Sequence, residues 1–317
     1  MSLRPEEASP REERGGLRRL VNALPRRLRR QRLLVVLRRL GLIDAVQFLE
    51  FNGNGRAWID LRDAECRASY LSQAFWPEFH PIVAAFLRGG GDLFDVGAHF
   101  GLVTFGVLPM ARASGVHFHL FEANPEIIPQ LERSASLWPG ESFVVNHCCV
   151  TDEPGVSNLT LPDSSWGHAL IGSEGAEAPN LLLDHYIESQ GIQRVAFLKM
   201  DVNGWEPKAL GGASLSLAAG KIEAAFVEVV RENADEILEM MQALGFDAYF
   251  CGSWNHWEPD GLGWQWVPVN GTPLRFAAAS PMPPSYEQGD VLFLHRSTDL
   301  AAAVRSATVV ARPHLRQ

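Results

Sequence analysis

No apolar run in this 317-residue chain approaches the roughly 20 residues that span a bilayer, which excludes a helical membrane span. The N-terminus also lacks the apolar core and small-residue cleavage site of a secretory signal; it is polar and rich in arginine. Cysteine is scarce. Cys66, Cys148, Cys149 and Cys251 have no CxxC spacing, so they read as reduced, buried thiols of a cytoplasmic protein rather than as a disulfide framework. No internal repeat is visible. Nor is the chain basic as a whole. The net charge is -9, although residues 1–40 carry 12 Arg against 4 Glu. That segment holds about +8, which leaves about -17 on the rest and argues against nucleic acid as a partner.

What the chain does have is an apolar fraction of 46%, ample for one sizeable core. Residues 1–16 are polar, carry Pro and Gly, and read as a disordered arm. Leu33, Val36, Leu37 and Leu40 then recur at helical spacing between arginines. Such a helix suits an anionic membrane surface or a protein partner, and equally suits packing on its own acidic body. "VQFLEFNGNGRAWIDL" predicts a β-hairpin, because Asn-Gly favours the positive φ of a tight turn. Residues 17–84 thus form an N-terminal helical and hairpin cap. From residue 85 to about 300, strand and helix signals alternate, which predicts βαβ units in a parallel α/β sheet with helices on both faces. "SFVVNHCCV" reads as one strand and "EPKALGGASLSLAA" as one helix. A loop of about 35 to 40 residues follows "FDAYFC", before the last strand "DVLFLHR". Residues 301–317 are a tail.

Open α/β sheets bind ligands at the carboxyl ends of their strands, and "FDVGAHFGL" sits at such an end, opening a helix. A phosphate-binding P-loop would supply a Lys, yet no Lys or Arg occurs here before Arg112. A dinucleotide turn would read GxGxxG; here Gly97 and Gly101 are four apart, and Asp95 leads. A carboxylate repels a pyrophosphate but suits a cationic nucleoside, and S-adenosyl-L-methionine carries an ammonium, a sulfonium and a carboxylate. Asp95 is expected to face its cationic part, while Gly97 admits a close backbone approach. One βα unit later, Glu122 in "FHLFEANP" can accept from both ribose hydroxyls. The expected cofactor contacts are Asp95, Gly97, Ala98, His99, Gly101, Glu122 and Asn124.

"FDVGAHFGLVTF", "FEANPE" and "FLKMDVNGWEPKALGGA" together resemble the FkbM-type S-adenosylmethionine-dependent methyltransferases, over roughly residues 85–296. The resemblance implies a class I methyltransferase (Rossmann-like) fold: a seven-stranded, mostly parallel sheet with its last strand antiparallel. It also implies methyl transfer, most often to a hydroxyl of a sugar, polyketide or other natural product. His99 stands where the family usually has Asn. Asn203 stands where it usually has Glu, which removes a carboxylate beside the expected active site.

Lys199, Asp201, Asn203 and Glu206 cluster at the end of the strand "VAFLKMD", where the acceptor hydroxyl should sit. Methyl transfer needs aligned reactants and a group that orients or takes the hydroxyl proton. Asp201 is the first choice for that role and Lys199 the second; the same residues also suit a structural Lys–Asp pair bracing the strand end. Glu206 suits the start of the next helix. The resemblance implies that Glu228 is a further acid near the acceptor. Asp201, Glu228 and Asn203 could meet a divalent ion, but nothing in the spacing demands one and no metal is expected. "HFH" and "NHCC" read as core histidines and thiols rather than as a zinc site.

The last long loop holds Trp254, Trp257, Trp264 and Trp266. Long loops in compact domains are often lids, and aromatic faces stack on sugar rings. Trp254, His256 and Trp257, with Asn203, are therefore the expected acceptor contacts, and Pro162–Gly172 the opposite wall. The acceptor expected is a small molecule or glycan. Two other readings remain open: a nicotinamide oxidoreductase, against which the missing third glycine counts, and a non-catalytic module that keeps the fold.

Overall fold

A computed structural model describes residues 30–111, 115–160, 170–172, 174–251, 265–279, 282 and 286–307. The arm at 1–16, Trp254, His256, Trp257, Trp264 and most of the Pro162–Gly172 stretch lie outside the described residues.

Helix α1 (Arg30–Arg39) is amphipathic, but its buried stripe is Leu33, Leu34 and Leu37; Val36 is exposed and Leu40 lies past the helix end. Strands β1 (Val46–Phe51) and β2 (Gly55–Asp60) pair antiparallel around Asn52 and Gly53, both at positive φ. Helix α2 (Ala64–Ser72) begins where the Asp63 carboxylate accepts the Cys66 N–H at 2.8 Å. Helix α3 (Phe79–Leu87) is buried along nearly its whole length.

The alternating region follows: β3 (Gly91–Val96), α4 (Leu102–Ala111), β4 (Val116–Glu122), α5 (Ile128–Ala135) and β5 (Ser142–His147). The expected single strand "SFVVNHCCV" breaks at Cys148. Cys149 and Val150 form β6 (Cys149–Val150), which pairs with β9 (Ala176–Leu181) beside β7 (Val156–Thr160) and β8 (Leu170–Gly172) in a small separate sheet. Helix α6 (Leu183–Ser189) and strand β10 (Val195–Met200) come next. The expected single helix after β10 is two, α7 (Glu206–Gly211) and α8 (Ser214–Ala218). Gly212 lies between them, against the Thr151 carbonyl, where a Cβ has no room. Strand β11 (Ala224–Val230), helix α9 (Ala234–Ala243) and strand β12 (Phe246–Cys251) precede a second hairpin, β13 (Gln265–Val269) and β14 (Thr272–Ala278). Strand β15 (Gln288–His295) and helix α10 (Asp299–Ser306) close the fold.

The main sheet has nine strands in the order β13-β14-β12-β15-β11-β10-β3-β4-β5, so the expected count of seven is corrected. The two added strands come from the stretch read as loop. Strands β5, β4, β3, β10 and β11 are parallel, and β15 runs antiparallel between β11 and β12. Every residue of β10 is buried, as a central parallel strand covered on both faces requires. Alternate side chains feed two cores. Leu93 and Phe197 join the N-terminal hairpin and α3 to α5 on one face; Phe94, Leu198 and Met200 join α6 to α9 on the other. This stacking leaves the carboxyl ends of β3, β4 and β10 side by side, where their loops meet.

Candidate active site

The turn after β3 is shaped by backbone demands. Gly97 lies at φ 70°, and its N–H and that of Ala98 both donate to the Phe121 carbonyl at 3.0 Å. His99 lies at φ 52°, a conformation that Asn, Asp and His adopt more readily than most side chains. This accounts for the exchange of Asn for His at that position. Gly101, at φ 69°, packs against the Phe105 ring, where a Cβ would press on it.

Glu122 ties this turn to the next. Its Oε2 accepts the His99 N–H at 2.7 Å and its Oε1 the Asn124 N–H at 2.8 Å. A carboxylate has about four acceptor sites, so two remain for hydroxyl donors on the cavity side. Asn124 is fully buried, and its Oδ1 accepts the Glu126 N–H at 3.0 Å. It does not line the cavity, so its expected cofactor contact is replaced by a turn-closing role.

Asp95 is also corrected. It is buried beneath the turn, does not line the cavity, and takes a 2.7 Å hydrogen bond from Thr104 Oγ1. Burial pushes its carboxyl pKa up, while Lys199 and Thr104 oppose that shift. Lys199 stands opposite Asp95 in the β3–β10 register, which brings Nζ within 3.7 Å of Asp95 Oδ1. Lys199 Nζ also donates to the Gly97 carbonyl at 2.8 Å and lies 3.6 Å from Asp201 Oδ2. Burial disfavours the ammonium, yet Asp201 and Asp95 outweigh it and hold the pKa above the ordinary lysine value. As an ammonium Lys199 cannot take the hydroxyl proton, which leaves it only the orienting half of its expected second-choice role.

Asp201 lines the cavity with its carboxylate about one-third exposed. Asn203, at φ 55°, lines it too, at the exposed tip of the turn. Glu206 is buried and accepts the Val202 and Gly204 N–H groups at 2.9 and 3.2 Å, which closes this turn onto α7. Glu228 does not line the cavity and sits behind Asp201, with Oε1 accepting from Gln288 at 2.7 Å. Burial, then Asp201, push its pKa up to about 7. Carboxylate oxygens of Asp201, Glu206 and Glu228 lie within 4.8 Å of one another.

The cavity encloses about 900 Å³ including its open mouth. Three groups of lining residues were not expected from sequence. Cys148, Cys149 and Val150 face it from the end of β5, so these two thiols are cavity walls as well as core. Leu159 reaches it from the small sheet, beside Ile171, which lies within the Pro162–Gly172 stretch expected as the opposite wall. Glu65, Phe75 and Trp76 come from the N-terminal segment. Among the histidines expected in the core, His119 is buried against the Tyr186 hydroxyl at 2.8 Å, whereas His117 is exposed.

Parallel strands β5, β4, β3, β10 and β11, bordered by antiparallel β15, form a Rossmann-like core in which the glycine turn after β3 is answered by Glu122 on β4. The sequence model of the methyltransferase FkbM domain matches residues 95–248. Residues 95–248 are an FkbM methyltransferase domain. No curated protein matches the sequence. Solved structures similar to the chain include methyltransferase FkbM from Methylobacillus flagellatus, at 15% identity over 59% of this chain and 43% of that one, TM-score 0.36. This chain therefore spans less than half of the Methylobacillus protein's length. Others are the precorrin-6y C5,15-methyltransferase from Geobacter metallireducens (7% identity, 67% and 84% covered, TM-score 0.37) and the magnesium protoporphyrin IX methyltransferase from Synechocystis with bound SAM (12%, 68% and 78%, 0.36).

Proposed function

We propose that the chain transfers a methyl group from S-adenosyl-L-methionine to a hydroxyl of a small carbohydrate or natural-product acceptor. What carries this reading is that Glu122 and Asp201 face one cavity on either side of the Gly97–Gly101 turn. The residues present fit the cofactor. Glu122 keeps acceptor sites for two ribose hydroxyls, and Phe121, Ala123, Cys148 and Val150 offer apolar surface to a flat base. The fit to a dinucleotide is poor: the N–H groups of Gly97, Ala98 and His99 are already donated within the protein and cannot cradle a pyrophosphate.

When bound, S-adenosylmethionine supplies the electrophilic methyl group. The protein's part is to align and to manage a proton. Lys199 fixes the Gly97 carbonyl and the Asp201 carboxylate relative to each other. Asp201 orients the acceptor hydroxyl and takes its proton as the new carbon–oxygen bond forms. Glu228, with an oxygen within 4.8 Å and a pKa near 7, can share that proton. General-base assistance of this kind contributes about 10²- to 10⁴-fold to a rate. Asp201→Asn should therefore lower transfer of labelled methyl to a panel of hydroxyl-bearing glycosides by about 10²-fold or more. An unchanged rate would move the proton role elsewhere, and no transfer by the unaltered chain to any acceptor would favour a non-catalytic module.

A further inference from the structure

The N-terminal segment supplies a wall that the methyl-transfer reading leaves unassigned. Phe75 and Trp76 line the cavity with their rings stacked, centroids 4.6 Å apart and planes 16° from parallel. The wall is held in place. Asn52, in the turn between β1 and β2, accepts the Phe75 N–H at 3.1 Å and donates to the Phe75 carbonyl at 2.5 Å. Trp76 packs edge-on against Phe79, whose ring lies 4.6 Å from Phe226 of β11. Trp76 itself sits at φ 38°, a conformation that bulky side chains rarely adopt. Such strain persists where the surrounding structure fixes a side chain for use. Beside this pair, Glu65 reaches the same cavity from α2.

Charge narrows the choice of ligand. Glu65, Glu122 and Asp201 line the cavity, with Asp95 beneath it. Against them stand Lys199, engaged by the Gly97 carbonyl, Asp95 and Asp201, and His99, within 3.6 Å of both Asp63 and Glu65. No other Lys or Arg lines the cavity among the described residues. Residues 161–169 and 252–264 contain neither. Among the described residues, a phosphate or carboxylate entering here meets excess negative charge and no cation beyond the engaged Lys199 and His99, which is unfavourable in a partly desolvated site. An aromatic face with a nearby carboxylate has the opposite preference: it stacks on the C–H face of a ring and accepts from hydroxyl or ammonium donors.

We propose that Phe75 and Trp76, with Glu65, form the acceptor-binding face of the cavity and select an uncharged or amino-bearing sugar ring over an anionic one. This rests on the methyl-transfer reading and names its acceptor class. The test uses the full chain. S-adenosylhomocysteine is titrated first; if it does not bind, the methyl-transfer reading fails on its own evidence. In protein saturated with it, three probes are then titrated by calorimetry: p-nitrophenyl β-glucoside, its 2-amino-2-deoxy analogue and p-nitrophenyl β-glucuronide. The neutral and amino glycosides should bind at least about fivefold more tightly than the glucuronide. Trp76→Ala should weaken both by about fivefold or more while changing S-adenosylhomocysteine affinity less than about twofold. Glu65→Gln, which keeps the wall intact, should remove the advantage of the amino glycoside over the neutral one. Saturation by none of the three probes, equal or tighter binding of the glucuronide, or an equal loss of S-adenosylhomocysteine affinity in Trp76→Ala would each overturn the proposal.

Discussion

Gly97 and Asp201 touch backbone to backbone: a Cβ built on Gly97 would fall on the carbonyl oxygen of Asp201. The Asp201 N–H in turn donates to the Val96 carbonyl at 3.1 Å. The turn that should hold the cofactor and the strand end that should hold the acceptor are therefore set against each other without an intervening side chain.

Gly97→Ala follows directly. The positive φ alone costs an L-residue about 1 kcal/mol, and the clash must in addition push β3 and β10 apart at their ends. The variant should lose more than about tenfold in S-adenosylhomocysteine affinity and melt several degrees lower. Retention of both properties would show that the close approach is not needed.

Lys199 gives a second prediction, on stability. Removing one partner of a buried ion pair leaves an uncompensated charge, at a cost of roughly 3–5 kcal/mol. Lys199→Met should reach that range in urea unfolding, because Asp95 is 1% exposed and would be left with Thr104 alone. Adding Asp95→Asn should recover a large part of the loss. If the double variant is no more stable than the single one, the pair is not what holds the strand ends.

A third prediction concerns pH. Burial opposes the charge on His99, but Asp63, then Glu65 and Glu122, outweigh it and raise its pKa above 6.5. A histidine raised in the folded state adds stability that is fully present below its unfolded pKa and is lost as pH rises through the folded one. The melting temperature of the wild-type chain should fall across that window, above about pH 6.5. His99→Asn, which tolerates the same positive φ, should fold and show a flatter profile. Identical profiles would mean that His99 does not link α2 to the turn.

The alternation of strands and helices was legible because buried parallel strands such as β10 read as short apolar runs. The acid that ends β4 was legible for the same reason, since its position relative to the run is fixed. His99 and Asn203, the two departures from the family wording, look alarming as sequence but sit at φ 52° and 55°, which both side chains accept. The β13–β14 hairpin was missed although Asn270 and Gly271 repeat the Asn-Gly signal of Asn52 and Gly53, at similar φ. Pro268 and Pro273 hid it. They face each other where β14 has run past β12, so their missing N–H groups break no central ladder. Glu65 and Trp76 carried no sequence signal at all, because only tertiary packing brings α2 over the mouth of the sheet. Asp95 misled for a related reason: its spacing is that of a ligand-facing acid, but the register that sets Lys199 opposite it is invisible until β3 and β10 are paired.

The cavity at the ends of β3, β4 and β10 is proposed to hold S-adenosylmethionine. Calorimetric titration of S-adenosylhomocysteine and of NAD(P)⁺ into the full chain tests it most directly. Saturable binding of S-adenosylhomocysteine at one site per chain, lost in Gly97→Ala, with no binding of NAD(P)⁺, is the result predicted. Saturation by NAD(P)⁺ with no response to S-adenosylhomocysteine would contradict it.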